Sequence, residues 1–261
     1  MLYKEPAPSL ACSRKMSDRN EKAGDIRIPY ATHLRNLEWE IILALMVPAA
    51  ATWILIELAD EVREGNTASI DEAILLAFRS AADPANPIGP HWLQEMMRDF
   101  TALGGVGVLT LITLAAAGYL VTVGKRHAAF AVLVAVGGGI LISTLAKDFI
   151  DRPRPNLVPH GSYVATSSFP SGHSMMAATV YLTLAAMVAR VGERWRTRFF
   201  ILFAAIFVVL LVGVSRVYLG VHWPTDVLAG WSVGAGWAIG CWLVTIWLQR
   251  RGAVEGEAPT G

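Results

Sequence analysis

The chain has 261 residues, of which 54% are hydrophobic and only 16% are charged, and its formal net charge is +1. Globular chains usually carry about 25% charged residues, so this composition excludes an ordinary water-soluble domain. The near-zero net charge gives no indication of nucleic-acid binding. Long apolar runs indicate instead an integral membrane protein in a lipid bilayer.

The N-terminal segment is polar and of mixed charge, and it lacks the apolar core of a signal peptide. We interpret residues 1–38 as a cytoplasmic polar tail that is not cleaved. The apolar part of the chain, residues 39–249, is predicted to be one membrane domain, and residues 250–261 a second cytoplasmic tail.

Six apolar segments reach the length of roughly 20 residues that a membrane-spanning helix needs. They cover about residues 40–59, 103–123, 128–146, 173–191, 199–218 and 226–248. The predicted fold is therefore all-α, an integral membrane bundle of six transmembrane helices.

Two further stretches lie in the first outer loop, between the first and second apolar segments. They read "SIDEAILLAFRSA" and "HWLQEMMRDFTALGG", with apolar residues at helical spacing. Both are too short and too charged to span a bilayer. We predict short amphipathic helices at the outer interface, with packing favoured over substrate entry as their role.

The distribution of Lys and Arg sets the orientation, because cytoplasmic loops carry an excess of both. With the N-terminus inside, the inner segments hold 15 of these residues and the outer segments hold 7. The sequence thus predicts a multi-pass protein of the plasma (inner) membrane with both termini in the cytoplasm.

The last apolar segment contains two GxxxG patterns, Gly230 with Gly234 and Gly236 with Gly240. Small residues at this spacing let helices approach closely. We interpret the patterns as close packing within the bundle, and a homodimer face is the alternative.

Polar residues gather in three short stretches where apolar segments end or begin. These are "KDFIDRPRP" from Lys147, "PSGHS" from Pro170 and "SRVYLGVHWPTD" from Ser215. In the predicted topology all three lie on the outer (periplasmic or extracellular) side of the membrane. Charges at a membrane edge are costly and usually functional, so this convergence indicates a site.

Three cations without a matching set of carboxylates indicate that the site binds an anion. They are Lys147, Arg154 and Arg216. Ser171 resembles a helix N-cap, and Gly172 would let backbone N–H groups approach the anion. A dianionic phosphate fits this arrangement. A metal ion does not, because hard cations need several oxygen ligands. We predict no metal and no cofactor.

Two histidines in these stretches suggest a division of labour. His222 precedes Asp226 by four residues, so one helical turn can bring the carboxylate to the imidazole. Such a contact fixes the tautomer and frees the other ring nitrogen as a nucleophile. His173 has no carboxylate nearby in sequence and can deliver a proton to a leaving group. We interpret Arg152 as an ordinary interfacial arginine.

The pattern K-x6-RP, PSGH and SR-x5-H-x3-D resembles the type 2 phosphatidic acid phosphatase (PAP2) superfamily, in its integral-membrane lipid phosphatase branch. The motifs match in order across residues 147–226. The resemblance implies a metal-independent phosphatase that acts through a phosphohistidine. It implies His222 as nucleophile, Asp226 as its orienting partner, and His173 as general acid and later base. The implied phosphate-binding residues are Lys147, Arg154, Ser171, Gly172 and Arg216.

The implied substrate is a membrane lipid phosphate, with phosphatidate, phosphatidylglycerophosphate and undecaprenyl diphosphate as candidates. We expect loop 156–169 and the first outer loop to select the headgroup.

A phosphotransferase that passes the phosphoryl group to another lipid would use the same site. A transporter or scramblase is disfavoured because the charges cluster at one membrane edge. A haloperoxidase-like oxidation is disfavoured because relatives of that kind are soluble.

Overall fold

The computed structural model describes residues 29–160, 166–191 and 194–251. Within these ranges the chain is helical and has no β-strand. Its helices are α1 (Pro29–Arg63), α2 (Ala68–Ala77), α3 (His91–Ala102), α4 (Val106–Thr122), α5 (Arg126–Phe149), α6 (Gly172–Val191), α7 (Trp195–Tyr218) and α8 (Pro224–Arg250). Contacts divide the chain into two units, Met1–Trp39 and Glu40–Gly261.

Five helical segments in the described ranges are long and apolar enough to cross a membrane. They are Ile41–Arg63, Arg126–Asp148, Gly172–Ala189, Trp195–Tyr218 and Pro224–Arg250. Helices α3 and α4 are bent by 46° and add a sixth span only if they are counted as one broken span. The all-α prediction is confirmed, and the number of spans is five or six.

Helices α2 and α3 occupy the two stretches for which short helices are predicted. Their place at the membrane interface stays a prediction. The bend after α3 falls at Gly104, where a Cβ would lie 3.1 Å from the carbonyl oxygen of His173 and would clash with Val212. Glycine therefore lets this turn pack directly on the start of α6. Tyr181 of α6 holds the turn by donating a hydrogen bond to the carbonyl of Leu103 at 2.9 Å.

Helix α6 packs along both α7 and α8. The glycines of α8 allow this approach. A Cβ on Gly230 would lie 2.7 Å from Ser171 O, and one on Gly234 would clash with Met175 O. Close packing within the bundle, the favoured interpretation of the GxxxG patterns, is confirmed at this face.

The second GxxxG pattern faces α1. A Cβ on Gly236 would clash with Ala51, and one on Gly240 would lie 2.7 Å from Pro48 Cγ. Both patterns are thus occupied by helices of the same chain. The alternative of a homodimer through this helix has no support.

The outward surface of the bundle is apolar. Phe199, Phe203 and Phe207 lie along one exposed stripe of α7 and stack on one another. Trp53 of α1 is 65% exposed. Such a surface is stable where lipid, rather than water, is the solvent.

Four helix ends meet at one end of the bundle, which we call the motif end. Helices α5 and α7 end there, and α6 and α8 begin there. Helices α2 and α3 also pack at this end. Leu75 of α2 is fully buried against Val217 and Val227. Leu93 and Met97 of α3 pack on the buried segment that follows α7.

Candidate active site

His222 lies at the motif end, in the turn between α7 and α8, and is 1% exposed. Gly220 makes this turn with φ of +72°, in the left-handed region that favours glycine. Pro224 is the first residue of α8, as its fixed φ favours. Asp226 therefore lies in the first helical turn, where its carboxylate reaches back to His222.

The two ring nitrogens of His222 face different partners. Nδ1 lies 3.4 Å from Oδ2 of Asp226 and 3.3 Å from Oγ of Ser168. Nε2 lies 3.2 Å from Nη1 of Arg154. A guanidinium can only donate, so Nε2 carries the lone pair and Nδ1 carries the proton. The carboxylate thus holds one nitrogen, as the sequence spacing predicts, and the other nitrogen faces Arg154.

The protonation state of His222 follows from its burial. Burial lowers the pKa of His222 to about 4, and the positive charges of Arg216 and Arg154 act in the same direction. The hydrogen bond and charge of Asp226 oppose this shift. The imidazole is therefore neutral near pH 7, which is the form that can act as a nucleophile.

Asp226 is fully buried and accepts hydrogen bonds on both oxygens. Oδ2 accepts from the hydroxyl of Ser168 at 2.5 Å and from the N–H of Trp223 at 2.9 Å. Oδ1 accepts from Nη1 of Arg152 at 2.6 Å. A buried carboxylate needs such donors, because it has lost its hydration.

Two of these donors were not recognised in the sequence. Ser168 lies two residues before the "PSGH" stretch and is fully buried. The interpretation of Arg152 as an interfacial arginine is wrong. Its side chain is only 11% exposed, and its guanidinium bridges Asp226 and Asp71 of α2.

The three predicted phosphate-binding cations lie close to one another at the motif end. Lys147, near the end of α5, donates to Thr166 Oγ1 and Ser167 O, both at 3.1 Å. Arg154 donates to Thr166 O at 2.8 Å and to Val221 O at 2.7 Å. The loop expected to select the headgroup therefore contacts both cations. Its residues 161–165 lie outside the described part of the chain.

Arg216 is the third cation and is 2% exposed near the end of α7. Its Nη1 donates to Thr101 Oγ1 at 2.9 Å. Its Nε has no hydrogen-bond partner among the described residues. A buried guanidinium that keeps an unused donor is suited to an anionic ligand.

The start of α6 completes the site. The helix begins at Gly172, directly after Ser171, as an N-cap would predict. A Cβ on Gly172 would lie 3.8 Å from Nζ of Lys147, so the ammonium stands against the first turn of the helix. The helix N-terminus adds its own positive potential to that of the cations.

His173 follows in the same turn and lies within electrostatic range of Arg216, His222, Lys147 and Arg154. Its imidazole forms no hydrogen bond with any residue that the structure describes. The eight predicted site residues thus lie together at the motif end. Their individual roles stay predictions.

Two apolar cavities lie away from this site. One has a volume of about 480 Å³ and is lined by residues such as Lys125, Met187 and Trp242, and the other, of about 340 Å³, includes His127 and Trp237. Both adjoin the start of α5 and the end of α8, opposite the motif end. Their linings carry none of the predicted site residues.

An apolar helical bundle that brings two histidines, three cations and a helix N-terminus together is the arrangement of a membrane enzyme that acts on phosphate. Residues 128–250 match the PAP2 superfamily. The chain is 34% identical over 189 residues to phosphatidylglycerophosphatase B of Bacillus subtilis (strain 168). The aligned residues cover 72% of this chain and 89% of that protein. The chain belongs to the PAP2 superfamily and is an integral membrane lipid phosphatase, a hydrolase of phosphoric monoesters or diphosphates.

Two further comparisons agree with this assignment. The crystal structure of a transmembrane PAP2-type phosphatidylglycerolphosphate phosphatase from Bacillus subtilis is similar with a TM-score of 0.67 and 30% identity, over 81% of this chain and 99% of that one. An undecaprenyl-diphosphatase of Sulfolobus acidocaldarius is 43% identical over 68 residues, which cover 26% of this chain and 29% of that protein.

Proposed function

We propose that this phosphatase removes phosphate from a membrane lipid through a phosphohistidine at His222, without a metal ion, at the outer face of the membrane. The orientation of His222 carries the proposal. Its Nδ1 faces Asp226 and Ser168, and its Nε2 faces Arg154. A neutral imidazole held in this way directs the lone pair of Nε2 at Arg154, one of the cations that would bind the phosphate, and so toward the proposed phosphate position.

In the first step, Lys147, Arg154 and Arg216 hold the lipid phosphate, together with Ser171 and the backbone of Gly172. Nε2 of His222 attacks phosphorus, and the bond from phosphorus to the lipid oxygen breaks. His173 donates its proton to that leaving oxygen. The imidazole of His222 becomes positively charged, and Asp226 stabilises that charge. The cations stabilise the charge on the equatorial phosphoryl oxygens.

In the second step, His173 is neutral and accepts a proton from a water molecule. The oxygen of that water attacks phosphorus, and the bond from phosphorus to Nε2 of His222 breaks. Inorganic phosphate leaves, and both histidines return to their starting states. The same two residues thus serve both steps with reversed proton transfer.

We further propose that α4 is one of six spans, with α2 and α3 at the outer interface, within a domain of residues 39–249. The Lys and Arg excess at the end opposite the motif end supports cytoplasmic termini and an outward-facing site in the plasma (inner) membrane. An epitope tag inserted after His160 should then be accessible to antibody on intact cells or spheroplasts. Labelling that appears only after the membrane is permeabilised would reverse this orientation.

The substrate class follows from the membrane setting and from the relatives. A lipid whose acyl or prenyl chains stay in the bilayer presents its phosphate at the membrane edge, where the motif end lies in this orientation. Similarity to phosphatidylglycerophosphatase B over most of both chains supports phosphatidylglycerophosphate as the first candidate. Phosphatidate and undecaprenyl diphosphate are the other candidates.

Phosphate release by the purified protein in detergent tests the proposal directly. We expect release from one of the three lipids, unchanged by EDTA, inhibited by vanadate, and lost in His222→Ala. The matched control is His91→Ala, because His91 is an exposed histidine of α3 outside the site. Turnover by His222→Ala would contradict the assignment of the nucleophile. A phosphorylated His222 without phosphate release would indicate a phosphotransferase.

A further inference from the structure

Helix α2 brings a fully buried carboxylate to the motif end. Asp71 is 0% exposed and lies on the same helix face as Leu75, which packs against α7 and α8. An ionised carboxylate is buried only where donors or positive charges compensate its lost hydration. The partners of Asp71 are therefore informative, and they belong to two of the sequence motifs.

The first partner is the start of α8. Its N-cap residue is Trp223, which has no side-chain oxygen to accept from the free N–H groups of the first turn. Asp71 supplies the missing acceptor. Its Oδ1 accepts from the N–H of Thr225 at 3.0 Å, and its Oδ2 accepts from the Thr225 hydroxyl at 2.7 Å. Its negative charge is also favourable at the helix N-terminus.

The second partner is Arg152 of the loop after α5. Nη2 of Arg152 donates to Oδ2 of Asp71 at 2.7 Å. Nη1 donates to the Thr225 hydroxyl at 2.8 Å and to Oδ1 of Asp226 at 2.6 Å. The guanidinium also lies over the ring of Trp223, 5.4 Å from its centroid. One planar group thus fixes the positions of two carboxylates.

The charges in this cluster also affect Asp226. The positive charge of Arg152 competes with His222 for the carboxylate of Asp226. Asp71 offsets that charge from the other side of the guanidinium. Asp226 therefore keeps its capacity to stabilise a positively charged His222 while its position is fixed by Arg152.

We propose that Asp71 and Arg152 are positioning residues of the phosphatase. They set the carboxylate of Asp226 and, through it, the direction of Nε2 of His222. The inference rests on the proposed function, in which His222 is the nucleophile. The side-chain hydrogen bonds of both residues go to each other, Thr225 and Asp226 and not to Lys147, Arg154 or Arg216, so we expect the pair to act on the attacking group and not on phosphate binding.

The test compares Asp71→Asn and Arg152→Gln with two matched controls, Glu72→Gln and Asp151→Asn, which change exposed neighbours. We expect kcat for phosphatidylglycerophosphate to fall roughly 100-fold in both test variants, because a small misplacement of a reacting group costs about that much. KM and competitive inhibition by inorganic phosphate should stay within about 3-fold of wild type, as an intact phosphate site requires. The controls should retain wild-type kcat.

Folding is checked by size-exclusion chromatography and thermal unfolding in detergent, because a buried ion pair that loses one partner is destabilising. If a test variant does not fold, Thr225→Val replaces it, since this change keeps both charges and the backbone N–H but removes the shared hydroxyl. We expect about a 10-fold fall in kcat for Thr225→Val, as loss of one or two hydrogen bonds predicts.

Full kcat in a folded variant of the cluster would overturn the inference. Equal loss of kcat and of phosphate inhibition would also overturn it, because that result would indicate a general collapse of the pocket. His222→Ala is measured alongside. If His222→Ala is inactive and Asp71→Asn has full kcat, only the positioning role fails. If His222→Ala turns over, the proposed function itself fails.

Discussion

The two histidines of the site stand at the same end of the bundle in opposite surroundings. His222 is enclosed by a carboxylate, a hydroxyl and a guanidinium, each at hydrogen-bond distance. His173 is partly exposed and lies among cations, and its imidazole has no hydrogen bond to a described residue. The difference indicates that the protein itself orients His222, the proposed nucleophile, whereas no described residue holds the ring of His173, the proposed acid.

Burial explains why the two sides of the site, one around His222 and one around His173, differ. A fully buried imidazole without partners would be costly, so the fold around His222 has to satisfy both ring nitrogens. The His173 side is kept electropositive by Lys147, Arg154 and Arg216. Binding of an anion relieves the mutual repulsion among these cations. Part of the free energy of phosphate binding at this side of the site can therefore contribute to catalysis.

The largest effect that separates the two sides is expected from His173→Ala. Loss of a general acid should lower the rate at which a lipid substrate phosphorylates His222 by about 10²- to 10⁴-fold. The loss should be much smaller for an aryl phosphate, whose leaving group needs no proton. His222→Ala should be inactive with both substrates, because even a good leaving group does not compensate for the loss of the attacking nitrogen. Single-turnover release of the lipid alcohol and of the phenol, which precedes hydrolysis of the phosphohistidine, measures this contrast.

The same variants can break the comparison. With the aryl phosphate, His173→Ala should accumulate phosphorylated His222, because the base that activates water is also missing. Equal losses with the lipid and the aryl substrate would show that His173 does not protonate the leaving group. His91→Ala again provides the surface control.

A smaller effect is expected in the pH dependence of stability. The pKa of His222 is about 4 in the folded protein and about 6.5 for an unperturbed histidine. The unfolded state therefore binds more protons between these values, and the stability that this residue contributes above about pH 6.5 is lost as the pH falls toward about 4. We expect the Tm in detergent to decline over that window by roughly 5–10 °C, because a pKa difference of this size corresponds to about 3 kcal/mol.

His222→Gln should remove this part of the decline, since glutamine does not titrate. The difference between the two Tm curves isolates the His222 contribution from that of other groups. Parallel curves for the wild type and His222→Gln would contradict burial of a neutral imidazole.

Much of the site could be predicted from the sequence because its chemistry is local. His222 and Asp226 are one helical turn apart, and Ser171, Gly172 and His173 are consecutive. Length and hydropathy located the spanning helices because bilayer thickness fixes both. The bounds of α4 to α8 lie within about four residues of the predicted apolar segments, as helix ends usually do.

The parts that were missed depend on contacts between distant segments. Asp71 appears in sequence as one acidic residue of a short amphipathic helix, and Arg152 as one cation of an interfacial run. Only the packing of Leu75 against α7 and α8 turns Asp71 inward. One signal was available, because Asp71 and Leu75 are four residues apart and so share the apolar face of α2.

The hydrogen bonds between Asp71 and Thr225 join residues that are 154 positions apart. Such contacts form late, because the intervening chain must first be ordered. During synthesis, Asp71 and Arg152 emerge well before the last helix does. His222 therefore gains its partner Asp226 only when α8 has inserted, and a nascent chain that lacks this helix has no assembled site with which to act on the lipids around it.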